Sequence, residues 1–286
     1  MSILIVTGTG TDVGKTVATA AVAALAAARG GGVAVVKPAQ TGVAPGEPGD
    51  LAEVARLAGI SDTHEYARYP DPLSPAAAAR ISGLPALDLK RAAADIRKLA
   101  QDRALVIVEG AGGLLVRFDE DGATLADLAR ELGAPALVVV DPKLGTLNHT
   151  ALTLESMALR GVELAGVVLG RWPYRKGASG DGSAVAAGVG VKAGTGAAPD
   201  AGAASVTANA SSDAADADSA AAEPDLAMRC NLRELETLAA RPLAGALPDG
   251  AGGLDPAEFL LAARSALAPS LGGTFDAARF RARWGR

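Results

Sequence analysis

Aromatic residues are scarce in this chain. They make up 3% of it, as two Trp, three Tyr and four Phe. A core must therefore be built mainly from Ala, Val and Leu, and the 49% apolar fraction is enough for a sizeable one. Cysteine is all but missing. The single Cys230 excludes an internal disulfide framework and suits a reducing cytoplasm, and its simplest role is that of a small buried apolar side chain. There is no excess of positive charge either. The formal net charge of -5 argues against a general nucleic-acid binder or a basic membrane-surface protein, while leaving room for a local cationic pocket. The longest apolar run, Val17 to Ala28, is Ala-rich and falls short of the roughly 20 residues that span a bilayer. Met1 leads straight into Ile3-Leu4-Ile5-Val6 and a glycine loop without a basic segment, so no secretory signal is expected.

What is present, over 286 residues, is room for one large α/β domain or two small ones. Short continuous apolar runs alternate with helical patterns. Strands are expected at Ile3–Thr7, Val33–Lys37 (stopped by Pro38), Leu105–Glu109, Ala136–Asp141, Leu164–Leu169 and Pro242–Leu247. Helices are expected at Lys15–Arg29, Asp50–Leu57, Pro75–Ser82, Asp88–Gln101, Ala123–Leu132, Thr146–Leu159, Asp225–Ala239, Asp255–Ala266 and Phe275–Trp284. Uninterrupted apolar strands alternating with helices predict a doubly wound, mostly parallel sheet covered on both faces, with right-handed crossovers. Between 176 and 224 the chain is Ala, Gly, Ser and Asp with almost no large apolar residue. Such a stretch cannot offset its chain entropy by burial, so a disordered insertion is expected. It separates a first part, 1–175, from a second, 225–286, that completes the same domain.

The strongest chemical signal is Gly8-Thr9-Gly10-Thr11-Asp12-Val13-Gly14-Lys15-Thr16, directly after a strand and before a helix. Glycines let backbone N–H groups turn around phosphate oxygens, and a helix N-terminus adds partial positive charge. In such a loop Lys15 reaches the outer phosphates and the Thr16 hydroxyl can bind Mg2+. The match to the standard phosphate loop is irregular: its first glycine belongs at position 9, which is Thr9, and Gly8 comes one residue early.

Further segments fall at strand ends, where ligands gather in open α/β sheets. Lys37-Pro38-Ala39-Gln40-Thr41-Gly42 places a lysine opposite the phosphate loop, suited to charge on a phosphoryl group or a carbamate. Glu109-Gly110-Ala111-Gly112-Gly113 places a carboxylate where a magnesium ligand usually lies. Asp50 opens a helix after a Gly/Pro loop and serves equally as an N-cap. Lys143-Leu144-Gly145-Thr146-Leu147-Asn148-His149 starts another helix, whose exposed N–H groups suit a carboxylate; Thr146 is equally an N-cap, and His149 is assigned no catalysis.

These segments, in this order over residues 2–172, resemble the dethiobiotin synthetase family, and the loop irregularity is typical of it. So is Pro242-Leu243-Ala244-Gly245-Ala246-Leu247-Pro248 as a last strand. The resemblance implies a P-loop fold and a magnesium-dependent ligase of biotin biosynthesis. A diamine, 7,8-diaminononanoate, takes up CO2 as a carbamate, ATP phosphorylates it, and the second amine closes a cyclic urea. It implies Thr16, Asp50 and Glu109 as magnesium ligands, and Lys15, Lys37 and Thr11 as the groups facing phosphoryl and carbamate charge. Asp12, Val13, Gly14, Val17, Gly110, Ala111, Gly112, Gly170, Arg171, Pro248, Asp249 and Gly250 complete the nucleotide site. Thr41 is assigned to the diamine or the carbamate, and Leu144, Gly145, Thr146, Leu147 and Asn148 to the substrate's tail carboxylate from the partner subunit of a cytoplasmic homodimer. One departure stands out. Where many members carry Asn-Asp, the Asn reading adenine, this chain has Gly170-Arg171, so relaxed nucleobase selectivity is expected.

Two rival readings are a partitioning-type ATP switch, which usually has an early second lysine in its loop where this chain has Thr9 to Asp12, and an amidating ligase of the cobyrinate type, which tends to be longer. An inactive homologue is disfavoured by the presence of Thr11, Lys15, Thr16, Lys37 and Glu109 together. Because the 176–224 stretch carries no residue pattern for chemistry, deleting it should leave turnover within a few-fold of the parent in a product assay. A large loss would give the segment a role.

Overall fold

The chain is described here from a computed structural model, which covers residues 2–173 and 223–286. The strands are β1 (Ile3–Gly8), β2 (Val33–Thr41), β3 (Thr63–Tyr69), β4 (Leu105–Gly113), β5 (Ala136–Val140), β6 (Leu164–Trp172) and β7 (Gly245–Pro248). The helices are α1 (Lys15–Ala27), α2 (Asp50–Ala58), α3 (Pro75–Ser82), α4 (Leu89–Asp102), α5 (Leu125–Leu132), α6 (Thr146–Leu159), α7 (Leu226–Ala239), α8 (Pro256–Ala266) and α9 (Ala277–Trp284). The strands form one sheet in the order β3-β2-β4-β1-β5-β6-β7, and every pairing is parallel.

Both faces of this sheet are buried, which is why its strands lack polar alternation. Ile5, Val36, Val106, Val108 and Val138 point into a core shared with α3, α4, α5 and α7. Their neighbours Leu4, Val6, Val35, Ile107 and Val139 point into the opposite core, against α1, α2 and α8. The inner side of α1 is almost all alanine, with Ala18, Ala20, Ala21 and Ala23 fully buried. Four of the aromatics, Trp172, Phe275, Phe280 and Trp284, gather in one cluster. Trp172, at the end of β6, is fully buried and meets Phe280 and Trp284 edge-on at 5.1 and 6.3 Å, pinning α9 to the sheet.

Several boundaries differ from the sequence expectation for identifiable reasons. Asp88, Asp225 and Asp255 are not first helical residues but caps, their carboxylates accepting the N–H groups of Arg91, Met228 and Glu258. Ala123 lies outside α5, which Thr124 and Asp127 open as a capping box. Pro38 does not stop β2. Pairing of β2 with β4 ends at Val36, so beyond it only the β3 ladder must accommodate a residue without an N–H. The strand β3, Thr63-His64-Glu65-Tyr66-Ala67-Arg68-Tyr69, was not expected at all. It is an edge strand, and its charged residues hide it from an apolar pattern. Pro242 to Ala244 precede β7 instead of belonging to it. Cys230 is exposed, not buried.

Except for Glu223 and Pro224, the segment expected to be disordered at 176–224 lies outside the described residues. The strands on either side of it pair with each other, Val168 with Gly245 and Leu169 with Ala246. Among the described residues no helix is long and apolar enough to cross a membrane. Trp172→Ala should lower the unfolding free energy by about 3–5 kcal/mol in urea denaturation, the range for emptying a large buried aromatic site.

Candidate active site

The parallel sheet brings the C-terminal ends of β1, β2 and β4 to one edge, and the predicted residues follow from this register. The phosphate loop leaves β1 after Gly8 and turns through left-handed backbone at Asp12 (φ 56°) and Gly14 (φ 95°) before α1 begins at Lys15. Gly8, one position early in the motif, has a steric reason to be glycine: a Cβ there would lie 2.6 Å from the Val13 side chain. The loop is also backed by β6. A Cβ on Gly170 would lie 1.8 Å from the Val13 carbonyl oxygen, and one on Gly14 would lie 2.7 Å from the Gly170 carbonyl oxygen. The two backbones are in direct contact.

Two carboxylates and one backbone carbonyl then converge on a single ammonium. The β2–β4 ladder ends at Val36 opposite Val108, and the next residue on each strand is Lys37 and Glu109. Lys37 Nζ donates to Glu109 Oε1 at 2.8 Å, to Asp50 Oδ2 at 2.5 Å and to the Gly110 carbonyl at 3.2 Å. The Thr16 hydroxyl donates to the same Glu109 Oε1 at 3.0 Å. Burial alone would lower the Lys37 pKa, but Glu109 and Asp50 outweigh it and hold the ammonium above its usual value. Lys15, which donates to the Gly10 carbonyl at 2.8 Å, goes the other way. Burial and then repulsion from Lys37 pull it below the ordinary lysine value, against the opposing effect of Glu109, Asp50 and Asp12. Asp50 is the first residue of α2 rather than its cap, which is Gly49, so its carboxylate is free for Lys37.

Among the described residues no three His, Cys, Asp or Glu side chains gather as a metal cluster. What converges is two carboxylates and a hydroxyl, a hard-oxygen set of the kind Mg2+ shares with phosphates. Glu109 Oε2 is buried without a hydrogen-bond partner, an unsatisfied acceptor that a bound cation would take up. The residues present therefore fit such an ion.

A cavity of about 660 Å3 opens over this cluster, lined by the phosphate loop, Lys37, Thr41, Asp50, Ala111, Gly112 and Arg171. Thr11, Asp12, Gly14, Lys15, Thr16 and Val17 are the loop and helix residues that face it. Glu109 lies beneath it. Val13 is buried and Gly110, Gly170, Pro248, Asp249 and Gly250 are not in its wall. The Asp249 amide donates to the Trp172 carbonyl at 2.8 Å, so the turn after β7 abuts the strand that carries Arg171. Leu144 to Asn148 do not line the cavity either. They form the start of α6, where Gly145 (φ 97°) is the cap and Thr146 the first helical residue, contrary to the cap expectation. Leu144 is 88% exposed, and the buried Thr146 hydroxyl has no partner.

The sequence reading missed Gln40, Pro72, Leu73, Ser74, Pro75 and Val116, all in the cavity wall. Gln40 was inside a recognised motif but had no role attached. Residues 72–75 follow β3, and an unrecognised edge strand leaves its C-terminal loop without a place. The contact of Gly170 with Val13 predicts that Gly170→Ala weakens binding of inorganic tripolyphosphate, a ligand with no base, by ~10-fold or more in calorimetry, because the loop must shift. Unchanged affinity would mean the contact is soft.

The sequence matches the family described as AAA domain over residues 2–249. It is 54% identical over 284 residues to the ATP-dependent dethiobiotin synthetase BioD of Parafrankia sp., covering 99% of each chain. To the enzyme of the same name from Streptomyces coelicolor it is 47% identical over 285 residues, covering 100% of each. Among solved structures, the septum site-determining protein MinD complexed with Mg-ADP from Pyrococcus horikoshii overlays with a TM-score of 0.50 at 14% identity, covering 95% of this chain and 94% of that one, a likeness of fold alone. End-to-end identity of this size, over a chain whose phosphate loop, two lysines and two carboxylates meet at one sheet edge, places the protein in the family of ATP-dependent dethiobiotin synthetases.

Proposed function

We propose that the chain is a dethiobiotin synthetase, a ligase that uses a nucleoside triphosphate to close a cyclic urea on 7,8-diaminononanoate with CO2. The observation that carries this is the meeting of Lys37 with Asp50 and Glu109 beside the phosphate loop that holds Lys15 and Thr16. One amine of the diamine attacks CO2 and loses a proton to give a carbamate. The carbamate oxygen takes the γ-phosphoryl group, releasing the nucleoside diphosphate. The second amine attacks the carbamate carbon, and phosphate leaves as the ring closes. No covalent enzyme intermediate is required, so the protein's work is positioning and charge neutralisation.

Each role falls to a named group. The backbone from Thr11 to Gly14 holds phosphate oxygens, and Lys15 balances charge on the outer phosphates. Lys37, three residues before Gln40 and four before Thr41, balances charge on the carbamate and the phosphoryl group in flight. Thr41 hydrogen-bonds the diamine. Thr16, Asp50 and Glu109 would hold Mg2+, which when bound neutralises phosphate charge. Pro248, Asp249, Gly250 and Arg171 border the nucleoside. The start of α6 receives the substrate carboxylate of a partner subunit in a homodimer, and its exposed Leu144, Leu152 and Leu159 suit an interface. The compartment we assign is the cytoplasm. Gly170 offers no side chain to read a base, so ATP, CTP and GTP should serve alike.

The test is mass detection of dethiobiotin from diaminononanoate, bicarbonate, Mg2+ and each triphosphate. Product should require the diamine, with kcat/KM for the three nucleotides within ~10-fold of one another, a difference of about 1.4 kcal/mol. Phosphate release without the diamine would favour the ATP-switch reading, and a strong preference for ATP would remove the relaxed selectivity.

A further inference from the structure

Asp50 owes its place to a residue outside the motif positions assigned above. The cap of helix α2 is Gly49, which has no side chain to accept an amide of the first turn, a task that cap residues usually perform. Gln40 performs it from the neighbouring strand. It is 4% exposed, and its Oε1 accepts the Asp50 N–H at 2.9 Å while its Nε2 donates to the Thr41 carbonyl at 3.1 Å. A Cβ at Gly49 would lie 2.7 Å from Gln40 Oε1, so glycine there lets the Gln40 amide come this close. The same loop is held a second time. Arg68 on β3 stands opposite Gln40 in register and donates to the carbonyls of Ala44 at 3.2 Å and Glu47 at 2.8 Å. Glu65 holds Arg68 in turn, at 2.6 Å.

We propose that Gln40 is a positioning residue for Asp50: with Arg68 bracing the loop, it fixes the first amide of α2 and so sets where the Asp50 carboxylate stands relative to Lys37 and Glu109. The geometry separates the two halves of Asp50. Its backbone is tied to Gln40 and its carboxylate is left to the cation. The inference rests on the reading of Asp50 as a magnesium ligand and deepens it. Buried partners that orient a ligand typically change metal affinity by about 10- to 100-fold when removed.

The experiment is calorimetry of ADP binding to the full chain, in Mg2+ and in EDTA. Gln40→Ala should weaken ADP binding in Mg2+ by about 10-fold and leave binding in EDTA within about twofold of the parent. Gln40→Glu keeps an acceptor for the Asp50 amide and should recover most of the loss. Arg68→Lys, which keeps the charge but not the two-carbonyl grip, should show the same magnesium-selective loss in smaller measure and serves where Gln40→Ala is poorly folded by circular dichroism. Equal weakening with and without Mg2+, or no weakening, would overturn the proposal. If the parent chain itself bound ADP equally in Mg2+ and EDTA, the metal reading would fall and the proposal with it. A magnesium-dependent parent with an indifferent Gln40→Ala would remove the role of Gln40 alone.

Discussion

Lys37, 3% exposed, stands between the carboxylates of Asp50 and Glu109, and the rest of the site is arranged around that buried charge cluster. Taking an ammonium and a carboxylate out of water costs several kcal/mol per ion, and their attraction inside the protein repays this only when geometry and hydrogen bonding are good. Here Lys37 has three acceptors and Glu109 Oε1 has two donors, yet Glu109 Oε2 has none. A purely structural ion pair gains nothing from an unsatisfied buried oxygen. A site prepared for a further cation does, because the electrostatic environment is set before the ligand arrives.

The topology explains how distant parts of the chain supply this cluster. In a parallel sheet every strand delivers its C-terminal end to the same edge. With β4 inserted between β2 and β1, the residues that follow the last β2–β4 pair become immediate neighbours. Close backbone approach does the rest. Glycines at 8, 14 and 170 let the phosphate loop fold onto itself and onto β6, and Gly49 lets Gln40 reach α2. The glycine at 170 thus has a packing role in addition to its lack of a base-reading side chain. The scarcity of aromatics is compensated by alanine at helix–sheet contacts and by one aromatic cluster that fastens α9 beside the end of β6.

Much of the architecture was legible because local patterns and tertiary burial agree. Apolar runs such as Ala136–Val140 and the helix Thr146–Leu159 need only composition and periodicity, and the phosphate loop is contiguous in sequence. What escaped was whatever depends on neighbours. The edge strand β3 mixes His64, Glu65 and Arg68 with its tyrosines and Ala67, so no continuous apolar run marks it, and with it went residues 72–75 as part of the cavity wall. Pro38 looked like a strand terminator because a single sequence does not show that the β4 ladder has already ended. Gln40 carried no role in the sequence because its hydrogen-bond partner lies ten positions away, across a loop.

By itself the sequence determined the fold class, the phosphate-binding turn and the identity of the charged residues, since each rests on short-range periodicity or on contiguous motifs. Only the tertiary structure decided the strand order, the contact of Gly170 with the loop, the release of the Asp50 carboxylate from capping, and the meeting of Lys37 with Glu109 and Asp50. Those depend on distances between segments far apart in the chain, and such distances are set by packing on the sheet rather than by any local preference.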